Sequence, residues 1–115
     1  MARDHTFSRS EIAMEVRIKN WGVAMRGGYP GGLPPDEETR DPNLLDADII
    51  ELAMCELKQK RELLYEIAEY LYVRGRSDQE AANVYRRPES WIHDRNREAI
   101  RWVINYLRRT AKEVA

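Results

Sequence analysis

The pattern of apolar and polar positions near the start of the chain predicts a helix. Ser8-Arg9-Ser10-Glu11 has the spacing of a capping box, in which the Ser8 hydroxyl accepts from the amide of Glu11 and the glutamate carboxylate reaches back. We expect this helix to run to about Met25. Its apolar stripe, at roughly helical spacing, is predicted to consist of Ile12, Val16 and Val23, with Trp21 to one side.

A loop is predicted after this helix. Residues 27–35 contain four glycines and three prolines, a composition that no regular element tolerates. The acidic stretch 36–38 and the pair Asp41-Pro42 extend the predicted loop to about Asn43. A loop of this length in a small domain is typically either functional or mobile.

Two further helices are predicted between Asp46 and Gly75. The first begins at Asp46, which can cap it, and ends before the polar run 58–61, which is predicted to be a turn. Its inward positions are predicted to be Ile49, Ala53, Cys55 or Glu56, and Leu57, with Cys55 as a buried apolar filler. The second helix ends at Gly75, a natural left-handed residue after a helix. Its core positions are predicted to be Leu64, Ile67, Ala68, Leu71 and Tyr72.

A short helix and a long helix are predicted to complete the chain. A second capping box at 77–80 predicts a short helix through Ala81-Ala82 to Tyr85. Pro88 fits the first position of the last helix, because its missing amide donor costs nothing there, and this helix is predicted to run to about Arg109. One side of its helical wheel carries Ile92, Asn96, Ala99, Val103 and Leu107, widened by Ile100 and Ile104. The opposite side carries Ser90, Asp94, Arg97, Arg101 and Arg108.

The order of these elements is that of a helix-turn-helix, in which two helices cross closely. A small residue is needed at such a crossing, and Ala82 supplies it. We predict that Arg86 and Arg87 in the turn grip phosphates. Base edges are predicted to meet Ser90, Asp94 and Arg97, flanked by Trp91, His93 and Arg101. A plain helical bundle with a solvated basic helix is the alternative at this point.

Length and charge sharpen this interpretation. With 115 residues the chain has room for one domain only. We predict an all-α domain in which residues 1–45 form the first helix and the loop, and residues 46–115 form the helix-turn-helix region. Residues 1–73 carry nine basic and 14 acidic side chains, net −5, whereas residues 74–115 carry ten basic and six acidic side chains, net +4. This asymmetry favours a nucleic-acid face on the carboxyl-terminal part and a protein partner for the acidic part.

Other functional classes find little support in the sequence. No run approaches the roughly 20 apolar residues of a membrane span, and no apolar stretch follows the first charges, so we expect a cytoplasmic protein without a membrane partner. The only cysteine is Cys55 and the only histidines are His5 and His93, which excludes an internal disulfide and disfavours a zinc site. We expect no catalytic residue, no metal and no cofactor, because residues 27–32 lack a phosphate-loop ending and His93 has no paired acid.

Several segments together resemble a known family. The two helices between Asp46 and Gly75, the Ser77-x-x-Glu80-Ala81-Ala82 segment and the last helix with Ala99 resemble region 4 of bacterial sigma factors and the phage late-gene regulators built on it. The segment 21–28, which begins Trp-Gly, is similar to the opening of phage Q-type antitermination proteins, and AlpA-type lysis-gene regulators are similar too.

This resemblance implies a mechanism. Such proteins bind a DNA element near a late promoter, load onto RNA polymerase at a promoter-proximal pause, contact the sigma factor and narrow the RNA exit channel, so that terminators are read through. Carried over to this chain, the resemblance implies that the basic turn and last helix bind double-stranded DNA. The implied contacts with RNA polymerase or its exit channel are Trp21, Arg26, Tyr29, Pro30 and Leu33.

Two other functions remain open from the sequence. The first is a conventional helix-turn-helix repressor or activator that never travels with polymerase. The second is a helical bundle that serves as a phage structural or adaptor protein. Trp102, Tyr106 and Leu107 either seal the core or supply a dimer seam, so the binding of a second copy on the DNA also stays open.

Overall fold

The structure is a computed structural model that describes residues 7–27 and 42–114. Its helices are α1 (Arg9–Met25), α2 (Pro42–Lys60), α3 (Glu62–Ala68), α4 (Asp78–Tyr85) and α5 (Glu89–Val114), and α3 continues as a π-helical segment over Glu69–Val73. These two ranges contain no strand, so the all-α prediction is confirmed for them. The predicted Gly/Pro-rich loop lies almost wholly outside the described residues.

Two predicted capping boxes are confirmed in full. At the start of α1 the Ser8 hydroxyl accepts from the Glu11 amide at 3.2 Å, and the Glu11 carboxylate accepts from the Ser8 amide at 2.7 Å. At the start of α4 the same exchange joins Ser77 and Glu80, at 3.1 and 3.2 Å. Each box satisfies two amides that a helix start would otherwise leave without partners. Gly75 stands at a φ of 66°, the left-handed conformation expected there.

Several predicted helix boundaries are wrong by a few residues. α2 begins at Pro42 rather than at Asp46, and Asp46 is not a cap. Its carboxylate instead accepts from the Arg17 guanidinium of α1, at 2.7 Å for the shortest contact. Pro88 precedes α5 instead of forming its first residue, because its carbonyl accepts the first helical bonds from the amides of Trp91 and Ile92. At its other end α5 continues past Arg109 to Val114.

One hydrophobic core joins all five helices. α1 lies against α2, the π-helical segment and α5, while α3 and α4 also pack on α5. The largest side chains with almost no exposed surface are Ile18, Trp21, Ile50, Met54, Leu57, Leu64, Ile67, Ile92, Ile100 and Val103. The predicted core positions from Leu64 to Tyr72 are all buried, as is the predicted apolar side of α5 from Ile92 to Val103. Burial of these side chains is the main force that holds the bundle together.

The predicted inward face of α1 is wrong. Ile12 and Val16 are 49% and 52% exposed, whereas the buried residues of α1 are Glu11, Met14, Ile18, Trp21 and Gly22. The true face follows helical spacing equally well, but it begins with a carboxylate, which a hydrophobic pattern does not detect. Ile49 and Cys55, both predicted to face inward on α2, are likewise exposed, because α2 turns Ile50, Ala53, Met54 and Leu57 inward instead.

Gly22 allows α1 to cross the π-helical segment at very short range. A Cβ atom added at Gly22 would stand 2.0 Å from the carbonyl oxygen of Tyr72 and 2.5 Å from its carbonyl carbon. The contacted backbone belongs to the stretch in which the amide of Arg74 donates to the carbonyl of Glu69, five residues earlier, at 3.0 Å. Only glycine fits this crossing, and it brings α1 over the helix that precedes α4.

Candidate nucleic-acid interface

α4, a short turn and α5 form a compact unit at one end of the bundle. Ala81 and Ala82 are 0% and 8% exposed, so the small pair is packed where the sequence predicted a close helix crossing. Arg86 ends α4 in the left-handed conformation, with a φ of 54°, and the amide of Arg87 donates to the carbonyl of Ala82 at 3.0 Å. This closure turns the chain sharply between α4 and α5 and leaves both arginines exposed.

Trp91 anchors a cluster of cations beside this turn. The Arg87 guanidinium lies 5.1 Å from the centre of the Trp91 ring, and the Arg95 guanidinium lies 5.6 Å from it. The Tyr85 ring is 6.3 Å from the same indole. Such contacts restrict the arginine side chains and keep their charge at the surface. The sequence prediction missed Arg95, although its i+4 spacing from Trp91 placed the two on one face of the helix.

Three other predicted DNA-binding residues contact Phe7 or the first turn of α1. The His93 ring stacks on Phe7, with ring centres 4.9 Å apart. One oxygen of Glu11 accepts from the Nε atoms of Arg97 and Arg101, at 2.9 and 2.7 Å. The amino end of α1 is therefore fastened to the same side of α5 that the sequence assigned to base edges.

Glu11 is the charged centre of this contact. Its side chain is 3% exposed, against 26% for Arg97 and 59% for Arg101. The hydrogen bond from Arg97 lowers the pKa of the Glu11 carboxyl to about 2, opposed by burial and assisted by Ser8 and Arg101. A carboxylate that receives two guanidinium donors fixes how both arginines point. Sequence analysis predicted only a capping role for Glu11, since its two arginine partners lie far along the chain.

The remaining predicted DNA contacts lie at the amino end of α5. Ser90 is exposed and Asp94 is partly buried, both near the basic turn.

A chain of hydrogen bonds runs through the buried side of α5. Asn96 is buried there and donates to the Tyr72 hydroxyl at 2.6 Å, and that hydroxyl donates to Glu15 at 2.8 Å. Burial raises the pKa of the Tyr72 hydroxyl, so it stays protonated and can donate. The Asn96 carbonyl oxygen has no hydrogen-bond partner among the described residues.

The predicted polymerase contacts divide into three groups. Trp21 is 1% exposed and donates to Glu51 at 3.3 Å, so it is a core residue and its assignment to a contact surface is corrected. Arg26 is exposed at the end of α1, with one terminal nitrogen beside Gly75. Tyr29, Pro30 and Leu33 lie outside the described residues.

An apolar stripe that the sequence analysis did not identify lies on the outer face of α2. Leu45, Ile49 and Leu52 are 44%, 47% and 66% exposed and follow the i, i+4, i+7 spacing of one helix face. Asp48 is exposed on the same helix, and the partly buried Glu51 and Glu56 follow. Apolar side chains of this size grouped on one surface, with acidic neighbours, are typical of a protein contact rather than of a nucleic-acid contact.

Comparisons with known proteins leave the family open. No protein-family model matches the chain, and no curated protein or solved structure matches it either. Among the helices described, none combines the length and the apolar character that a membrane span requires. The described residues contain no group of three or more His, Cys, Asp or Glu side chains arranged to hold a metal ion.

Proposed function

We propose that this protein is a DNA-binding transcription antitermination factor that loads onto RNA polymerase at a promoter-proximal pause and suppresses terminators at the RNA exit channel. The observation that carries the proposal is the exposed basic turn at Arg86 and Arg87, held between a short capped helix and the long α5. A sigma region 4-like helix-turn-helix has this order of elements, and its second helix enters the major groove.

The DNA surface proposed here is the turn and the first two turns of α5. Arg86 and Arg87 contact phosphates, while Ser90 and Asp94 face base edges. Arg101, which is 59% exposed, contributes through its terminal nitrogens, because its Nε atom donates to Glu11, and Arg97 lies beside it with its Nε atom on the same carboxylate. In this arrangement Glu11 is a positioning residue for the two arginines. His93 and Trp91 border the surface through their contacts with Phe7 and Arg87.

The proposed contact with RNA polymerase or sigma factor lies on an acidic surface, whereas the proposed DNA surface is basic. The stripe Leu45, Ile49 and Leu52, together with Asp48, supports a protein partner that presents apolar and basic side chains. Arg26 marks the point where α1 leads towards the Gly/Pro-rich segment, whose residues Tyr29, Pro30 and Leu33 are proposed to act at the exit channel. The acidic character of residues 1–73 supports separate faces for DNA and for protein.

A transcription assay tests the proposal. Purified RNA polymerase is run on a template with a promoter, a DNA element next to it, a pause site and a distal terminator, with and without the protein. If the protein is an antiterminator, read-through of the terminator depends on the linked DNA element. Read-through is then lost with Leu52→Asp, which alters the α2 stripe, and with Arg87→Ala, which alters the basic turn. Lys112→Ala, which removes an exposed cation far along α5 from the turn, is the control. Unchanged termination efficiency contradicts the proposal.

A conventional helix-turn-helix repressor or activator is the second candidate. It is favoured by the fact that the basic turn and α5 require no polymerase contact in order to bind DNA. In the same assay such a protein changes initiation and leaves termination unaltered. Deletion of 27–35 then leaves regulation intact, whereas it abolishes read-through by an antiterminator. If the protein shows no salt-dependent binding to duplex DNA at all, both candidates fail and a structural helical bundle remains.

A further inference from the structure

A groove lies along the carboxyl-terminal half of α5, away from the basic turn. It has a volume of about 590 Å³ and is formed where the end of α2 and the start of α3 meet the carboxyl-terminal half of α5. At 1.5 Å per residue, Trp102 and Arg109 lie about 20–30 Å along α5 from Glu89, which is next to the basic turn. Arg101, which belongs to the proposed duplex-binding surface, lies beside Ser8 and Glu11 on the side of α5 that faces α1, whereas the groove faces α2 and α3, so the two sites are distinct.

Positive charge predominates in this groove. Three cations line it, Lys60, Arg61 and Arg109, against one acid, Glu56. Lys60 and Arg109 are exposed, and neither forms an ion pair within the part of the chain that the structure describes. Arg61 pairs with Glu98 at 3.0 Å, but its side chain is still 51% exposed. The groove thus keeps an excess of positive charge, chiefly from Lys60 and Arg109, and such an excess attracts an anionic ligand.

Two stacked aromatic rings form part of the same groove. Trp102 and Tyr106, one turn apart on α5, lie parallel within 9°, with ring centres 5.4 Å apart. Both side chains are only partly buried. Ring pairs of this kind extend a planar surface towards solvent, and a further planar group stacks on such a surface. The rings therefore select a ligand that has a flat ring as well as a negative charge.

We propose that this groove binds a nucleotide unit of single-stranded nucleic acid. Lys60, Arg61 and Arg109 neutralise its phosphates, and the stacked pair of Trp102 and Tyr106 receives its base. Proteins bind single-stranded nucleic acid with cations that contact its phosphate backbone and with aromatic side chains on which its bases stack. Double-stranded DNA does not fit this chemistry, because its bases are already stacked in the helix. The proposal is independent of the proposed function, since it uses none of the residues of the basic turn.

A titration with short oligonucleotides tests the charge requirement. Binding of a fluorescein-labelled thymidylate hexamer is measured by polarisation for the wild-type chain, for Arg109→Glu and for Arg108→Glu. Arg108 is the matched control, since it is exposed, adjacent in sequence and lies with α1 residues on the other side of α5. We expect Arg109→Glu to weaken binding by about tenfold or more and Arg108→Glu to weaken it by less than about twofold. Equal losses in the two variants, or the absence of binding by the wild-type chain, overturn the proposal.

Changes in the ligand test the base and its source. A hexamer of abasic deoxyribose phosphates carries the same charge without bases, and we expect it to bind about five- to 100-fold more weakly. Equal affinity overturns the role of the aromatic pair. Free thymidine monophosphate tests whether the site prefers a mononucleotide or a strand. A mononucleotide site would bind it as tightly as the hexamer, whereas a site for a strand would bind it much more weakly. Arg87→Ala should lower duplex binding but leave hexamer binding unchanged, so failure of the proposed function and failure of this site are separable.

Discussion

The ion pairs of Glu11 provide a direct test of how α1 is held on α5. We consider Glu11→Gln, which removes the charge but keeps an oxygen that can complete the capping box with Ser8. The folded state lowers the pKa of Glu11 from 4.5 to about 2, a difference of some 2.5 pH units. Each unit corresponds to about 1.4 kcal/mol, so the carboxylate contributes about 3 kcal/mol to the free energy of unfolding at pH 7.

The pH dependence of this effect has a definite sign. A group whose folded pKa is lowered stabilises the protein above its unfolded pKa and loses that contribution as the pH falls through the folded pKa. The difference in unfolding free energy between wild type and Glu11→Gln should therefore be about 3 kcal/mol at pH 7, fall to roughly 1 kcal/mol at pH 3, and vanish below pH 2.

Urea unfolding of both proteins, followed by circular dichroism between pH 3 and pH 7, measures this difference. Arg108→Gln is the control for loss of a charge on α5 that does not contact Glu11, and its effect should stay within about 0.5 kcal/mol at every pH. A difference between wild type and Glu11→Gln that is below about 1 kcal/mol at pH 7, or that does not change with pH, would refute the role assigned to the two arginines.

Three further predictions concern packing and DNA. Gly22→Ala should lower the free energy of unfolding, measured in urea, by about 1–3 kcal/mol, because the added methyl group meets the Tyr72 carbonyl. This loss is expected even though alanine favours helices. Equal or higher stability would exclude the close crossing. Asn96→Leu removes a buried oxygen that has no partner in the described structure, but it also removes the amide that donates to the Tyr72 hydroxyl at 2.6 Å. Because these two effects oppose each other, the free energy of unfolding should change by no more than about 1 kcal/mol, and a loss above about 2 kcal/mol would show that the hydrogen bond to Tyr72 outweighs the unsatisfied oxygen. Arg87→Ala should lower the affinity for duplex DNA equally for all sequences, and it should reduce the slope of log binding constant against log salt concentration by about 0.9. Arg97→Ala should weaken the preference for one base pair by roughly 1–3 kcal/mol. A uniform loss of affinity in both variants would show that the base-contacting face is misassigned.

The features that the sequence predicted well are those set by neighbouring residues. Both capping boxes depend on residues three apart, and the end of a helix at Gly75 depends on one glycine, so local spacing was sufficient. The apolar side of α5 was also predicted correctly, since its spacing is regular over several turns. Local rules of this kind describe each helix but not its partner.

The features that the sequence did not predict depend on distant partners. Glu11 meets Arg97 and Arg101 across separations of 86 and 90 residues, and this contact turns α1 so that Ile12 and Val16 face outward. Asp46 was assigned to a cap because nothing local indicated Arg17, 29 residues earlier. For the candidate site, the basic turn was found from sequence, but the attachment of α1 beside it was not.

The π-helical segment before α4 has a consequence for how the chain tolerates changes in length. A π-turn holds one more residue than the α-turn it replaces, so Glu69–Val73 stores a single extra residue inside a continuous helix. Removal of one codon here would replace the π-turn with an α-turn and leave the chain that follows in nearly the same direction, whereas removal of one residue from the regular helix Glu62–Ala68 would rotate everything that follows by about 100°, one helical step. The segment before the basic turn can thus lose one residue with little change in the direction of the binding face, which a deletion in α3 would not allow.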